Sequence, residues 1–337
     1  MRTFAALFTL ASIVAAQSVD MEHSTGGFED TGSDSFYWHS RYHGLLAMAG
    51  YGNPNVTCRQ LFTEESRASN FPSSTHEVFD YLGAWGPTEK YGISGYNVIV
   101  PEMNKVVMVF TGVTGWENFN ATLVPLLGVG CDSTCMAHAG AIEAFEEAQA
   151  ATNDWQVIKS NQQNFVWSSS GHGFGGMVSQ IAAMSLKHRR MAYSSMTFGA
   201  PPVFNAAAAR RYNDLFPGPD SQRVVANRDS VPAAIPIDEA GTGYTFVNTG
   251  IHVFGTSPTY GQDFEVCYDA ANVACHGGDN AADHWFYYDN VEHCGASGYA
   301  TRINQTFVSA YEASAIAGYS ATATGPIRTA VNTSARL

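Results

Sequence analysis

The sequence predicts an α/β fold built on an open sheet, on three observations. Short strand-like runs alternate with runs at helical spacing, 45% of the 337 residues are apolar, and one glycine-rich run joins a strand directly to a helix. In chain order, Trp38, Tyr42, Leu45, Leu46 and Ala49 recur at helical spacing and stop before Gly50. Tyr96–Val100 and Val106–Phe110 are apolar runs separated by Pro101, Glu102 and Asn104, which reads as a two-stranded hairpin. Glu143–Lys159 reads as a helix, Phe165–Ser169 as a strand and Met177–Leu186 as a helix. Met196–Phe198 and Val224–Ala226 read as further strands. There is no internal repeat and no polar linker long enough to separate two domains, so residues 35–310 are expected to form a single one.

The ends are different. Residues 1–16 read as a signal peptide: Arg2 supplies the positive start, Phe4–Ile13 a mainly apolar run, and Val14–Ala16 a small-residue cleavage site. The apolar run is shorter than the roughly 20 residues that span a bilayer, so the expected destination is secreted and extracellular. Residues 17–34, rich in Ser, Gly and acidic residues, are expected to be a flexible leader, and residues 311–337 a low-complexity tail. Thr329–Leu337 lacks the hydrophobic stretch of a lipid-anchor signal.

A formal net charge of −13 disfavours nucleic acid as a partner, and attraction to lipid must then come from apolar burial. In an oxidising compartment the six cysteines are expected to pair rather than hold metal. Of the fifteen pairings open to six cysteines, local clips Cys131–Cys135 and Cys267–Cys275 with a long closure Cys58–Cys294 are the expected set. Asn55, Asn120, Asn304 and Asn332 each begin a glycosylation acceptor sequence. The histidines are scattered singly with no HExxH pattern, so neither a metal nor a cofactor is expected.

The chemistry-bearing run is Gly171-His172-Gly173-Phe174-Gly175-Gly176, which leads from a strand into a helix. That is the context of a nucleophile elbow, the G-x-S-x-G turn that raises a serine hydroxyl above a sheet. Here a glycine stands in the middle. Outer glycines let strand and helix pass closely; a middle glycine relieves backbone strain but cannot form an acyl intermediate. Glycine-rich strand-to-helix turns also bind phosphate at helix N-termini, so the run alone leaves both readings open.

Other segments carry a resemblance. Gly199-Ala200-Pro201-Pro202 after the Met196–Phe198 strand is similar to the TFGAPRVG segment of class 3 (fungal-type) lipases, with the arginine replaced. Arg223–Pro232 resembles the stretch around that family's catalytic aspartate, and Asp283–Tyr288 resembles its histidine-bearing DHxxYF stretch. Val107–Gly112 with Asn118 and Phe119 resembles FRG(S/T)…NW, and Ala137–Phe145 resembles the HxGF segment. The resemblance covers roughly residues 35–294. It implies an α/β-hydrolase fold, with a mostly parallel central sheet flanked by helices. It also implies that Gly173 holds the nucleophile position, that Asp229 orients His284, and that backbone N–H groups of Val113 and Phe174 form the oxyanion hole.

Thr111 and Val113 replace the family's Arg and Ser/Thr, so the departures gather where the chemistry belongs. Ser168, Ser169, Ser170 and Ser179 fall on the strand or within the helix rather than at the apex of the turn. Thr114–Leu127 corresponds to the family's lid, with Trp116, Phe119 and Leu123 among its apolar residues, although these could also pack on the domain body. Three functional readings stay open: a lipase-like pseudoenzyme that binds a lipid or ester, a weak ester hydrolase using water activated by Asp229 and His284, and an extracellular interaction protein. Oligomeric state is not encoded in any of these features.

Overall fold

A computed structural model describes residues 33–51, 79–101, 104–112, 122–127, 129–131, 133–151, 165–188, 192–217, 221–238, 243–247, 250–254, 264–267, 273–287 and 289–290. Its strands are β1 Asp80–Trp85, β2 Gly95–Val100, β3 Lys105–Phe110, β4 Leu123–Pro125, β5 Met136–His138, β6 Val166–His172 and β7 Ala192–Phe198. They continue with β8 Phe204–Asn205, β9 Ser221–Ala226, β10 Tyr244–Thr245, β11 Gly250–Val253, β12 Phe264–Cys267, β13 Phe286–Tyr287 and β14 Asp289–Asn290. The helices are α1 Ser33–Ala49, α2 Ala139–Ala151, α3 Phe174–His188 and α4 Ala206–Leu215. Among the described residues the central sheet has eight strands in the order β1-β2-β3-β6-β7-β9-β11-β12. The five strands β3, β6, β7, β9 and β11 run parallel; β2 and β12 run against them, and β1 pairs antiparallel with β2 at the edge.

A parallel sheet needs cover on both faces, and its strands then read as continuous apolar runs. Strand β3 illustrates how the two-residue side-chain period serves both faces. Val107 and Val109 join Tyr42, Leu45, Leu46 and Ala49 of α1, whereas Val106, Met108 and Phe110 join Met177, Ile181 and Met184 of α3. Each such side chain, fully buried, contributes about 1.5–3 kcal/mol. Tyr96 donates its hydroxyl to the Leu46 carbonyl (2.5 Å), which fastens α1 to the sheet just before its end.

The parallel strands carry their following turns to one edge of the sheet, where ligands of open α/β folds bind. Gly173 follows β6, Gly199 follows β7 and Asn227–Asp229 follow β9. The strand expected over Phe165–Ser169 runs on to His172, because Gly171 and His172 still pair with Thr197 and Phe198 of β7. The helix expected from Met177 begins at Phe174, so the turn between strand and helix is a single residue. Helix α1 starts at Ser33, two residues inside the expected leader.

The expected lid is divided. Trp116 and Phe119 lie outside the described residues, and Leu123 opens β4, paired with His138 of β5, and packs on the core. Leu126 is buried and Leu127 is 81% exposed. The antiparallel pairing supplies backbone hydrogen bonds that hold this end of the segment. Cys131 is bonded to Cys135, and Cys267 to Cys275. Cys58, Cys294, Asn55, Asn120, Asn304 and Asn332 lie outside the described residues, as do the signal peptide and the tail.

Candidate active site

Gly173 is the apex of the turn between β6 and α3, at φ +56°. Its N–H donates to the Phe198 carbonyl (2.8 Å) and its carbonyl accepts from Gly176 N–H (3.0 Å), so both neighbouring strand and helix hold the turn. An L side chain in this left-handed region costs about 1–3 kcal/mol. A Cβ built here would lie 2.9 Å from His284 Nε2 and 3.3 Å from Cε1. The imidazole therefore already occupies the edge of the space that a side chain would need.

His284 lies in a 3₁₀ turn, Ala281–Trp285, whose start is capped by the Asn280 side chain accepting from Ala282 N–H (3.1 Å). Its Nδ1 donates to Asp229 Oδ2 over 2.8 Å, leaving Nε2 directed at Gly173. Asp229 is fully buried, and both oxygens of its carboxylate accept hydrogen bonds. Oδ1 accepts from Val231 N–H (2.9 Å), and Oδ2 accepts also from the Tyr287 hydroxyl (2.5 Å). Burial, then the Asp229 charge beside it, raises the Tyr287 phenol well above its ordinary value, so it stays a donor. Gly199, at φ +61°, makes room for the pair: a Cβ there would meet Asp229 Oδ2 at 2.6 Å and His284 Cε1 at 2.8 Å.

A second histidine supports the first. His172 stacks on His284 with ring centroids 4.1 Å apart, and its Nε2–H donates to the His284 carbonyl (2.7 Å). Its Nδ1 accepts from the Tyr51 hydroxyl (2.6 Å), which itself accepts from Gly112 N–H (2.8 Å). Burial, and then the neighbouring His284, hold the His172 pKa well below the ordinary histidine value. Its neutral state fits this donor-acceptor chain, which ties the end of β3 to the histidine turn through Tyr51.

The remaining expected site residues divide in the same way. Phe174 begins α3 and is buried, with its ring stacked on Tyr91 (6.0 Å) and edge-on to His138 (6.1 Å). Its backbone thus stands at the helix N-terminus beside the apex, where partial positive charge favours a developing oxyanion. Val113 lies outside the described residues. Thr111 turns its hydroxyl to the β2 side, donating to the Ser94 carbonyl (3.0 Å). The three strand serines are engaged in the interior: Ser168 with Ser194, Ser169 with the Ser179 carbonyl and Ser195, and Ser170 with the His43 carbonyl. None of these three hydroxyls reaches the apex.

Sequence reasoning did not single out Tyr51, His172 and Tyr287 for roles in the site. Tyr287 and His172 lay within quoted segments, but nothing in their spacing says which hydroxyl or ring nitrogen meets which partner. Tyr51 carries no signal at all, since it reaches the site only because α1 packs across the sheet. Among the described residues, no group of three or more His, Cys, Asp or Glu is arranged to hold a metal ion.

Comparison with known proteins places this geometry. The family model "Lipase (class 3)" matches residues 107–239. A secreted mono- and diacylglycerol lipase of Fusarium solani is 29% identical over 230 residues, covering 61% of this chain and 62% of that protein. The matched region thus spans less than two thirds of the relative's own length. The Lip2 lipase of Yarrowia lipolytica superposes with a TM-score of 0.61 at 16% identity, covering 77% of this chain and 95% of that one. The mono- and diacylglycerol lipase of Aspergillus oryzae superposes with a TM-score of 0.56 at 17% identity, covering 78% and 99%. At such identities the superpositions speak for the α/β-hydrolase fold, while the family match and the Fusarium relative make this chain similar to class 3 lipases over the residues matched.

Proposed function

We propose that this chain is a secreted, lipase-like pseudoenzyme that binds a lipid or ester, of the acylglycerol class, without turning it over efficiently. The observation that carries the reading is Gly173 at the apex of the strand-to-helix turn, facing His284 Nε2 with no side chain between them. In a working site, the apex hydroxyl attacks the ester carbonyl and passes its proton to that nitrogen. Here the base and its orienting carboxylate are assembled, but no hydroxyl stands at the apex. Loss of a nucleophile costs about 10⁶ in rate where it has been measured, far more than the 10²–10³ lost with one oxyanion donor. Support for a lipid or ester ligand comes from the family match and from the Fusarium relative, whose name gives mono- and diacylglycerols as its substrates and secretion as its fate.

A second reading follows from the intact Asp229–His284 hydrogen bond. Nε2 could take a proton from a water attacking the ester directly, giving slow hydrolysis. Two features weigh against it. The imidazole is only 1% exposed, and it sits so close to the apex that little room is left for a water between them.

The test is hydrolysis of short- and long-chain esters by the purified wild type, Gly173→Ser and His284→Ala, with binding of a fluorescent fatty acyl probe measured alongside. The pseudoenzyme reading predicts probe binding, wild-type hydrolysis near background, and no further loss in His284→Ala. Enzyme-like wild-type turnover that vanishes in His284→Ala would overturn it in favour of the water mechanism. Absence of both binding and hydrolysis would leave the interaction-protein reading.

A further inference from the structure

Far from the elbow, the structure gathers positive charge that the lipase-like chemistry does not use. The chain carries 17 Lys and Arg against a net charge of −13, and Lys187, Arg210 and Arg211 fall in two short described segments. Helix α3 has 15 residues, which at 1.5 Å per residue places His188 about 22 Å from the apex at Gly173. Helix α4, capped by the Asn205 side chain accepting from Ala208 N–H (3.0 Å), brings Arg211 to the same end.

The two segments converge on one spot. A Cβ built on Gly130 would lie 2.8 Å from His188 Nδ1 and 3.0 Å from Arg211 Nη2, so both nitrogens crowd the same small volume above an exposed backbone. Gly130 holds φ +70°, where glycine is favoured, and the Cys131–Cys135 bond follows immediately and fixes the loop. Arg211 is half-buried and its Nε is buried without a hydrogen-bond partner. Among the described residues, no carboxylate pairs with His188 or Arg211.

Helix electrostatics account for part of this arrangement only. Cations in the last turn of a helix are stabilised by its dipole, which explains Lys187 and His188 at the end of α3. Arg211 lies in the body of α4, outside its last turn. A guanidinium held against a histidine with a buried, unsatisfied N–H costs free energy unless an acceptor completes it. The buried Nε is out of a ligand's reach, but Arg211 Nη2 and His188 Nδ1 meet beside the exposed Gly130, and there an oxyanion can accept from the guanidinium's outer donors with the imidazole adding one more. We propose that Gly130, His188 and Arg211 form a binding site for a phosphate-type oxyanion, either free in solution or carried on a lipid headgroup. The site is separate from the elbow and does not depend on the reading of Gly173.

The test uses the full-length protein and inorganic phosphate, followed by calorimetry or ³¹P line broadening. Wild type is expected to bind. Arg211→Gln should weaken binding by about tenfold or more, the loss of a charge-assisted hydrogen bond, and exposed His188→Gln should weaken it severalfold. Arg210→Gln removes an equal charge one residue away on an exposed position and should leave binding within about twofold, as expected when no direct bond is lost. Sedimentation with phosphatidylcholine vesicles, with and without phosphatidic acid, separates the sources. Wild-type capture by the phosphatidic acid vesicles that Arg211→Gln abolishes assigns the headgroup; phosphate binding without capture assigns the free anion. The proposal fails if wild type binds neither probe, if Arg211→Gln and His188→Gln both bind as wild type does, or if Arg210→Gln weakens binding as much as Arg211→Gln.

Discussion

Replacing Gly173 by alanine tests the backbone at the apex without introducing any chemistry. At φ +56° an alanine pays about 1–3 kcal/mol for the left-handed conformation. Its methyl carbon must also be accommodated 2.9 Å from His284 Nε2, closer than such atoms settle. The imidazole has little freedom to withdraw, because Asp229 holds Nδ1 at 2.8 Å and the His172 ring is stacked 4.1 Å away. Taking strain alone, a loss of about 1–3 kcal/mol lowers Tm by roughly 2–6 °C, at about 2 °C per kcal/mol for a large domain. Differential scanning calorimetry of wild type and Gly173→Ala measures it. An unchanged or higher Tm would mean that the apex does not hold the conformation a nucleophile elbow requires, and the reasoning from glycine's freedom would fall with it.

Two further outcomes follow from buried groups. Tyr287→Phe removes one of the donors to Asp229 Oδ2; leaving a buried carboxylate short of one hydrogen bond should cost about 1–3 kcal/mol, read as a lower urea midpoint with unchanged slope. A midpoint within experimental error of wild type would show that the hydroxyl contributes nothing. His138 is held neutral by burial, with its pKa lowered to about 3 in the folded protein against 6.5 for the free group. The unfolded chain therefore binds the extra proton between those values, so stability is full above about pH 6.5 and falls by roughly 1.4 kcal/mol per unit as pH drops toward 3. His172 and His43, also lowered by burial, add to that slope in the same direction. Urea midpoints across pH 4–8 check it, and a flat profile would contradict the buried neutral assignment.

Much of the central sheet was legible because its strands are short continuous apolar runs bounded by breakers. Lys105–Phe110 announces itself, since alternate valines face two different helices and every position after the first is buried. The short strands β4, β5, β8 and β10 were not legible: at two or three residues they are defined by pairing with one another, not by local pattern. Leu123 shows this: its pairing with β5 rests on a partner fifteen residues away, which no local pattern encodes. At the site, the order of Gly173, Asp229 and His284 along the chain was readable, whereas their support was not. Tyr51, His172 and Tyr287 act through contacts between segments far apart in sequence, 121 residues apart for Tyr51 and His172, which no local spacing encodes. The crowding of His284 against Gly173 is likewise a distance, invisible until the fold closes it.

Gly173 leaves the apex without a hydroxyl, so a serine-directed reagent should find no target beside His284. Intact-mass measurement after incubation with a serine-directed alkyl fluorophosphonate tests this directly, with Gly173→Ser run as the positive comparison. Wild type is expected to gain no adduct, and any labelling of Gly173→Ser is expected to map to residue 173. A stoichiometric adduct on the wild type, mapped to any residue beside His284, would contradict it.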